Sequence, residues 1–481
     1  MNSRLLHNLK KLLGRDGVLY EPEDLMLYEY DGSVETARPN CVVFPRTAAE
    51  VVEIVRLANR YLMPLVGRGA GTGLSGGAIA RQGGIITSFA RMNRILEIDA
   101  ENQRARVQPG VVNSDLSVAT EHLGLHFAPD PSSQKACTIG GNVSENSGGP
   151  HTLAYGVTTN HVLALEVVLP TGELLHLGNS ALDASGYDLT GLFVGSEGTF
   201  GLVTEITVKL TRLPEATKTL LAVYESVDDA TETVVEITAR GITPAACEML
   251  DGWTIRAVED YVHAGFPLDC AAILLIEVDG LREAAEYEGA EVAEVCRLHR
   301  AREVRVARDA CERDLLWKGR KNAFGAVGRL SPTYYTQDGV IPRTKLPATL
   351  RRISEIGQKY GFAIGNIFHA GDGNLHPIIL FDARDQQQFR NAVAASDEII
   401  QFCIEVGGAI TGEHGVGMEK DRLMPLLFSE ADLDLMRSVR DVFNPAGLLN
   451  PGKILPTPKG CGEIHVRPAP EPARASGPAP A

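Results

Sequence analysis

Two histidines, His369 and His376, flank an Asp372-Gly373 dipeptide in the stretch N-I-F-H-A-G-D-G-N-L-H that begins at Asn366. Asp-Gly favours a two-residue type I′ hairpin turn. That register pairs Gly371 with Asn374 and sets His369 directly opposite His376. Directly opposed residues hold their Cβ atoms about 4.5–5.5 Å apart on one face, which suits two imidazoles sharing a divalent ion such as zinc. Glu413, in T-G-E-H-G-V-G from Thr411 to Gly417, offers a third ligand, and the glycines around it let the backbone approach closely. The two histidines would serve equally as hydrogen-bonded core residues. Beside Glu413, His414 is a candidate general base, because an imidazole exchanges its proton near neutral pH.

A second chemistry lies far upstream, in V-G-R-G-A-G-T-G-L-S-G-G-A from Val66 to Ala78. Glycines free backbone amides to form a concave nest for an anion, phosphate above all. Arg68, Gly69, Ala70, Gly71, Thr72, Gly73, Ser75 and Gly76 are its candidate ligand residues. The loop lacks the Gly-Lys-Ser/Thr ending of a Walker A motif. Gly71, Gly73 and Gly76 do spell G-x-G-x-x-G, with Glu97 or Asp99 downstream where a ribose contact is expected. A Rossmann loop must open a helix, yet Arg81-Gln82-Gly83-Gly84 and a strand-like run at Ile85–Phe89 follow at once. The expected unit is strand–loop–strand, a pyrophosphate cradle of non-Rossmann type. Two further glycine-rich segments could hold the rest of a dinucleotide. One runs from the rigid turn at Pro129-Asp130 through C-T-I-G-G-N-V-S-E-N-S-G-G, with Thr138, Gly141, Asn142, Ser144 and Asn146 as contacts. The other is G-S-E-G-T-F-G-L-V from Gly195, with Glu197, Gly201 and Val203.

The elements that must position these groups fall into an α/β pattern. Cys41–Phe44 is strand-like, Thr47 and Glu50 read as a capping box, and Val51, Ile54, Val55 and Ala58 recur at helical spacing. Short strands follow, Asn113 reads as the cap of a helix reaching about His122, and Val162–Leu169 and Glu173–Leu177 read as a hairpin. Beyond Leu213-Pro214, strands alternate with helices in a succession that suggests an antiparallel sheet with helices on one face. The expected divisions are an N-terminal arm (1–37), a cofactor domain (38–214), a substrate or cap domain (215–456) and a Pro/Ala-rich disordered tail (457–481).

A chain of 481 residues exceeds one core. Its net charge of −15 argues against nucleic acid or an anionic membrane as the main partner. No apolar run reaches the roughly eighteen residues that cross a bilayer, and the first residues lack a secretion signal. Eight scattered cysteines form no C-x-x-C run, which speaks for reduced cytoplasmic thiols and against an iron–sulfur cluster in this chain.

The three glycine segments together resemble the FAD-binding domain of the vanillyl-alcohol oxidase/p-cresol methylhydroxylase superfamily. Within it the chain is similar to the FAD-linked D-2-hydroxy-acid dehydrogenases, and most to their glycolate-oxidising members, from about Ala37 to Pro456. The resemblance implies an α+β fold, with a two-part PCMH-type FAD-binding domain followed by an α+β cap domain with an antiparallel sheet. It implies FAD, held non-covalently because the first loop has no histidine, and it favours a divalent metal such as zinc on His369, His376 and Glu413. It gives His414 the role of base and Arg320, in W-K-G-R-K-N-A-F, that of the substrate-carboxylate fork; a solvated basic helix face is the plainer account of that arginine. Family members acting on 2-hydroxyglutarate carry a lysine where this chain has T-Y-Y-T-Q-D from Thr333, which favours glycolate or D-lactate. Asn450, in the N-P-A-G-L-L-N-P-G-K segment, is expected to reach the flavin. The expected partners are a second flavin-domain subunit and an iron–sulfur subunit, placing the protein in the cytoplasm, peripheral to the inner membrane through them. A soluble D-lactate or D-2-hydroxyglutarate dehydrogenase is the alternative.

Overall fold

Parallel strands cannot be closed by a tight turn and need a crossover of a dozen residues or more. In the computed structural model, which describes residues 2–179, 181 and 186–456, the first glycine loop is that crossover. Strand Leu65–Arg68 runs parallel to Ile85–Ser88, which is also parallel to Cys41–Val43. Residues 69–84 span the gap with no helix among them. Thr47 caps the helix Ala48–Tyr61, its Oγ1 accepting from the Glu50 amide at 3.2 Å, and Val51, Ile54 and Val55 seal it onto this sheet. The N-terminal residues join the same layer. Strand Val18–Leu19 pairs antiparallel with Cys41–Val43, and Leu5 and Leu9 of the helix Ser3–Leu13 are fully buried in its core. Each contributes about 1.5–3 kcal/mol of apolar burial.

The second half of this domain is a five-stranded antiparallel sheet, ordered Ile95–Asp99, Arg104–Val107, Leu202–Lys209, Val162–Val168, Leu174–Gly178. Thr138 caps the short helix Ile139–Glu145 beneath it. Asn113 does not cap its helix, Asn113–Glu121. Its amide donates instead to the Pro129 carbonyl at 2.9 Å and to Asn142 Oδ1 at 3.0 Å, tying the second glycine segment to the rigid turn.

The cap domain is built on a nine-stranded antiparallel sheet. Helices cover both faces, not one. In the strand Ala216–Tyr224, Leu220, Ala222 and Tyr224 enter a core with Val234, Val292 and Ile353 from three helices. Leu221 and Val223 point the other way, against Ile255, Leu316 and Trp317 from two more. The sequence signal for this was the unbroken apolar run of the strands, the mark of a sheet buried on both sides.

The histidine hairpin also differs from expectation. His369 pairs with Asn374, and only Gly373 of the dipeptide has positive φ, at 79°. A type I′ turn needs positive φ at both central residues. The loop is therefore Ala370–Gly373, and His376 lies beyond the position opposite His369. The tail from 457 lies outside the described residues.

Candidate functional site

Between the two domains runs a cavity of about 350 Å³, within the size range of small-molecule and cofactor sites. Its walls carry all three glycine segments at one end and the histidine cluster at the other. Arg68, Gly69, Ala70, Gly71, Thr72, Gly73, Thr138, Gly141, Asn142, Ser144, Glu197, Gly201 and Val203 line it, with His376, Glu413 and His414. Arg68 is 6% exposed, its guanidinium lies 5.5 Å from the Tyr28 ring, and its Nη1 has no partner. A buried, orphaned cation at the mouth of an amide nest fits a pyrophosphate. Gly71 has φ 74°, and a Cβ there would strike that guanidinium. The donor set therefore fits a dinucleotide.

Six residues expected at the cofactor are placed behind the walls. Ser75 is fully buried, its carbonyl accepting from the Met418 amide at 3.0 Å. The Gly76 carbonyl is held by Lys453. The Pro129 carbonyl holds Asn113. Asn146 closes its helix and accepts from the Thr159 amide at 2.9 Å. Asp130 is 2.9 Å from His151 Nδ1 and 3.6 Å from Lys321 Nζ. Asn450 does not line the cavity; its amide donates to the Gly77 carbonyl at 3.0 Å and the Glu197 carbonyl at 2.7 Å. The C-terminal segment thus returns to the glycine loops as a brace. Lys453 in the same segment is 2% exposed and also donates to the Ile79 carbonyl at 2.8 Å. Burial pulls its pKa down to about 8, against the pull of Asp31, Glu197 and Glu145. Pro-Gly-Lys after an asparagine was the signal that sequence reasoning passed over.

At the other end, one carboxylate oxygen gathers both histidines. Glu413 Oε1 is 3.1 Å from His369 Nε2 and 3.1 Å from His376 Nε2, and the two rings stand edge to face, 5.1 Å between centroids. Their far nitrogens are held as well: His369 Nδ1 by Glu248 at 2.8 Å, His376 Nδ1 by the Gln337 carbonyl at 3.3 Å. Metal-binding histidines characteristically give their second nitrogen to a carboxylate or a backbone carbonyl in this way. The three ligand atoms lie within 4.8 Å of one another, so the set fits a divalent ion. Burial would raise the Glu413 pKa, but the two imidazoles hold it well below the usual carboxylate range.

A second triad, Asp338, His376 and His414, meets the same distance limit, but its carboxylate is spent. Asp338 is fully buried and accepts from Thr411 Oγ1 and from the amides of Gly412 at 2.9 Å, Glu413 at 3.2 Å and His414 at 3.0 Å. All four contacts fall on Oδ2, and Oδ1 takes a second contact from the Glu413 amide at 3.3 Å, so the carboxylate is turned onto the loop. His414 is tied to it through its backbone amide. Burial drives its pKa down to about 4, resisted by Asp338, so the ring is a neutral acceptor at neutral pH.

Arg320 lies on the helix Ala310–Lys321 but off the cavity wall. It is 1% exposed, with Nε 2.7 Å from Glu248 Oε2, behind the carboxylate that orients His369. Its Nη1 has no partner. Its neighbour Lys321 is on the wall instead, with Phe324, Tyr334 and Thr336. Glu197, from the third glycine segment, accepts from the amides of Val416 and Gly417, each at 2.7 Å. It is the direct tether between the cofactor domain and the loop carrying Glu413 and His414.

Comparison with known proteins agrees with this geometry. Residues 39–178 match the FAD binding domain model and residues 213–454 the model of FAD linked oxidases, C-terminal domain. The chain is 47% identical to glycolate oxidase subunit GlcD of Escherichia coli K12, over 93% of this chain and 91% of that protein. It is 34% identical to D-lactate dehydrogenase of Anaerostipes hadrus, over 87% and 90%. Among solved structures, p-cresol methylhydroxylase with substrate bound superposes with a TM-score of 0.81 at 18% identity, over 94% of this chain and 96% of that one, which shows a shared fold. The two domain matches, which together span most of the chain, and the 47% identity place the chain in the FAD-linked oxidase family, as an FAD-dependent oxidoreductase.

Proposed function

We propose that this chain is the flavin-bearing subunit of a glycolate dehydrogenase, oxidising glycolate, and D-lactate as a second substrate, to the 2-oxo acid. The carrying observation is that Glu413 and His414 line the same cavity as the glycine cradle, so a proton acceptor and a metal-binding cluster meet the reacting end of a bound dinucleotide. FAD, when bound, supplies the hydride acceptor; a divalent ion on His369, His376 and Glu413 would supply Lewis acidity toward the substrate hydroxyl.

The chain's own residues do the rest. Neutral His414 accepts the hydroxyl proton at its ring nitrogen as the α-hydrogen departs. Lys321 on the wall supplies positive charge for the carboxylate. Phe324 and Tyr334 close the substrate end with rings, which supports a small monocarboxylate over a diacid. Electrons leave to a second flavin-domain subunit and an iron–sulfur subunit, the assembly lying on the cytoplasmic face of the inner membrane. No helix among the described residues is long and apolar enough to cross a bilayer.

The test is anaerobic titration of the purified flavoprotein with glycolate, D-lactate and D-2-hydroxyglutarate, followed by flavin absorbance. Glycolate is expected to bleach the flavin at the lowest concentration. Bleaching by 2-hydroxyglutarate alone would refute the assignment.

A further inference from the structure

One buried side chain outside the ligand set and away from the cavity wall controls both halves of the proposed chemistry. Asp338, just before the strand Gly339–Val340, is 0% exposed. Its carboxylate collects the Thr411 hydroxyl and three consecutive amides, those of Gly412, Glu413 and His414. Three successive N–H groups turned onto one anion are a backbone nest, here occupied by the protein's own aspartate. Thr411 Oγ1 in turn accepts from the Gly415 amide at 3.0 Å, closing the ring. From the opposite side Lys420, 1% exposed, sets Nζ 3.5 Å from the same carboxylate and 3.2 Å from the Asp338 carbonyl. The loop 411–415 contains no helix or strand to hold it; its backbone direction is set by this anion.

We infer that Asp338 is the positioning residue that fixes the metal ligand Glu413 and the base His414 in one shared frame, so that metal affinity and proton transfer depend on it together. The inference rests on the metal-and-base account of the site given above. It separates Asp338 from Glu413, the one ligand it resembles by type. Glu413 would give an oxygen to the ion; Asp338 turns Oδ2, and Oδ1 at 3.3 Å, onto the loop and acts through the backbone.

Substitution of residues that orient metal ligands typically costs 10–100-fold in affinity or activity. Asp338→Asn keeps the shape, but it removes the charge that draws these donors and sets an NH2 group where Oδ1 accepts from the Glu413 amide at 3.3 Å. Measured on the purified FAD-loaded protein, Asp338→Asn is expected to lower zinc affinity, read by competition with a chelator, by about 10–100-fold. The same variant should lower kcat by about the same factor while KM for glycolate and bound flavin change little; its Tm falls, because Lys420 is left without its buried counter-charge. A residue of merely structural importance would lower Tm and flavin content and leave the zinc affinity and kcat of the folded protein at the parent level. Thr411→Val, which deletes one of the four donors, is expected to shift zinc affinity and kcat in the same direction by less, and it decides the matter if Asp338→Asn does not fold. Zinc affinity and kcat both at the parent level in the variant that folds would overturn the inference. If the parent protein takes up no zinc, or His376→Ala binds it as well as the parent, the metal account itself fails. The kcat arm then decides Asp338 alone, and an unchanged kcat overturns it.

Discussion

His376 and His414 lie face to face, their ring centroids 4.9 Å apart and their planes 6° from parallel, yet the two imidazoles are committed to different partners. His376 gives one nitrogen to Glu413 and the other to the Gln337 carbonyl. His414 is held through its backbone amide by Asp338, at 3.0 Å. This division leaves a ligand and a base stacked in one site without exchanging roles. Replacing His414 by Asn should therefore slow substrate reduction of the flavin by about 10²–10⁴-fold, the usual worth of a positioned base. FAD and metal content should be retained. Stopped-flow reduction of the flavin by glycolate measures the first, and metal analysis the second.

Arg320→Ala should be a stability mutation before it is a binding mutation. Glu248 is fully buried and has the Arg320 guanidinium and His369 Nδ1 as partners. Removing the arginine leaves that carboxylate partly uncompensated, which costs about 3–5 kcal/mol for a buried pair. Urea unfolding of the FAD-bound protein should register a loss of that size. A rise in KM without any loss of stability would return Arg320 to a purely substrate-binding role.

The domain interface should weaken in alkali through His151. Burial lowers this histidine's pKa, but Asp130 at 2.9 Å and Glu277 at 3.4 Å outweigh it and raise the pKa to about 10. An imidazole bound more tightly when charged stabilises the fold in full below its ordinary pKa of about 6.5. It loses that contribution as pH climbs toward 10. The Tm advantage of the parent over His151→Gln should therefore be greatest near pH 6.5 and shrink steadily up to pH 10. A difference that grows with pH would contradict the linkage.

Lys453→Met should release FAD. The ammonium satisfies the Gly76 and Ile79 carbonyls, and leaving buried acceptors unpaired costs about 1–3 kcal/mol each. Those carbonyls belong to the crossover loop that carries the amide nest. Equilibrium dialysis should show a weakened Kd for FAD of tenfold or more, each tenfold step being about 1.4 kcal/mol.

What could be read in the sequence was what glycine and capping residues dictate locally. The loop at Val66–Ala78 announced an anion nest because few other uses explain so many glycines beside one arginine, and Thr47 announced its helix by type. The convergence of His369, His376 and Glu413 was also legible, although the hairpin register behind it was not. Asp-Gly is compatible with more than one loop length, and in the longer loop Gly373 takes φ 79° while its carbonyl accepts from the Ile341 amide at 3.0 Å. Long-range tethers left no local trace. Glu197 looked like one more cofactor residue, and only the folded chain shows its carboxylate on the amides of Val416 and Gly417. Asp338 and Glu248 were invisible for the same reason: a lone acid, within a strand at Glu248 and just before one at Asp338, has no periodicity to betray the loop or ring that it holds. The burial of the cap sheet on both faces was foreshadowed by apolar strands whose alternation was absent.

The brace formed by Leu449, Asn450 and Lys453 has a consequence for how the protein is made. The Leu65 amide and carbonyl are bonded to Leu448 and Asn450, so the cradle's entry strand borrows its outer neighbour from a segment made long after it. A nascent chain that has finished its nucleotide-binding half still lacks this lock. Flavin capture in the cell is thereby deferred until residues 448–453 have been made, and products that stop short of them are born without colour.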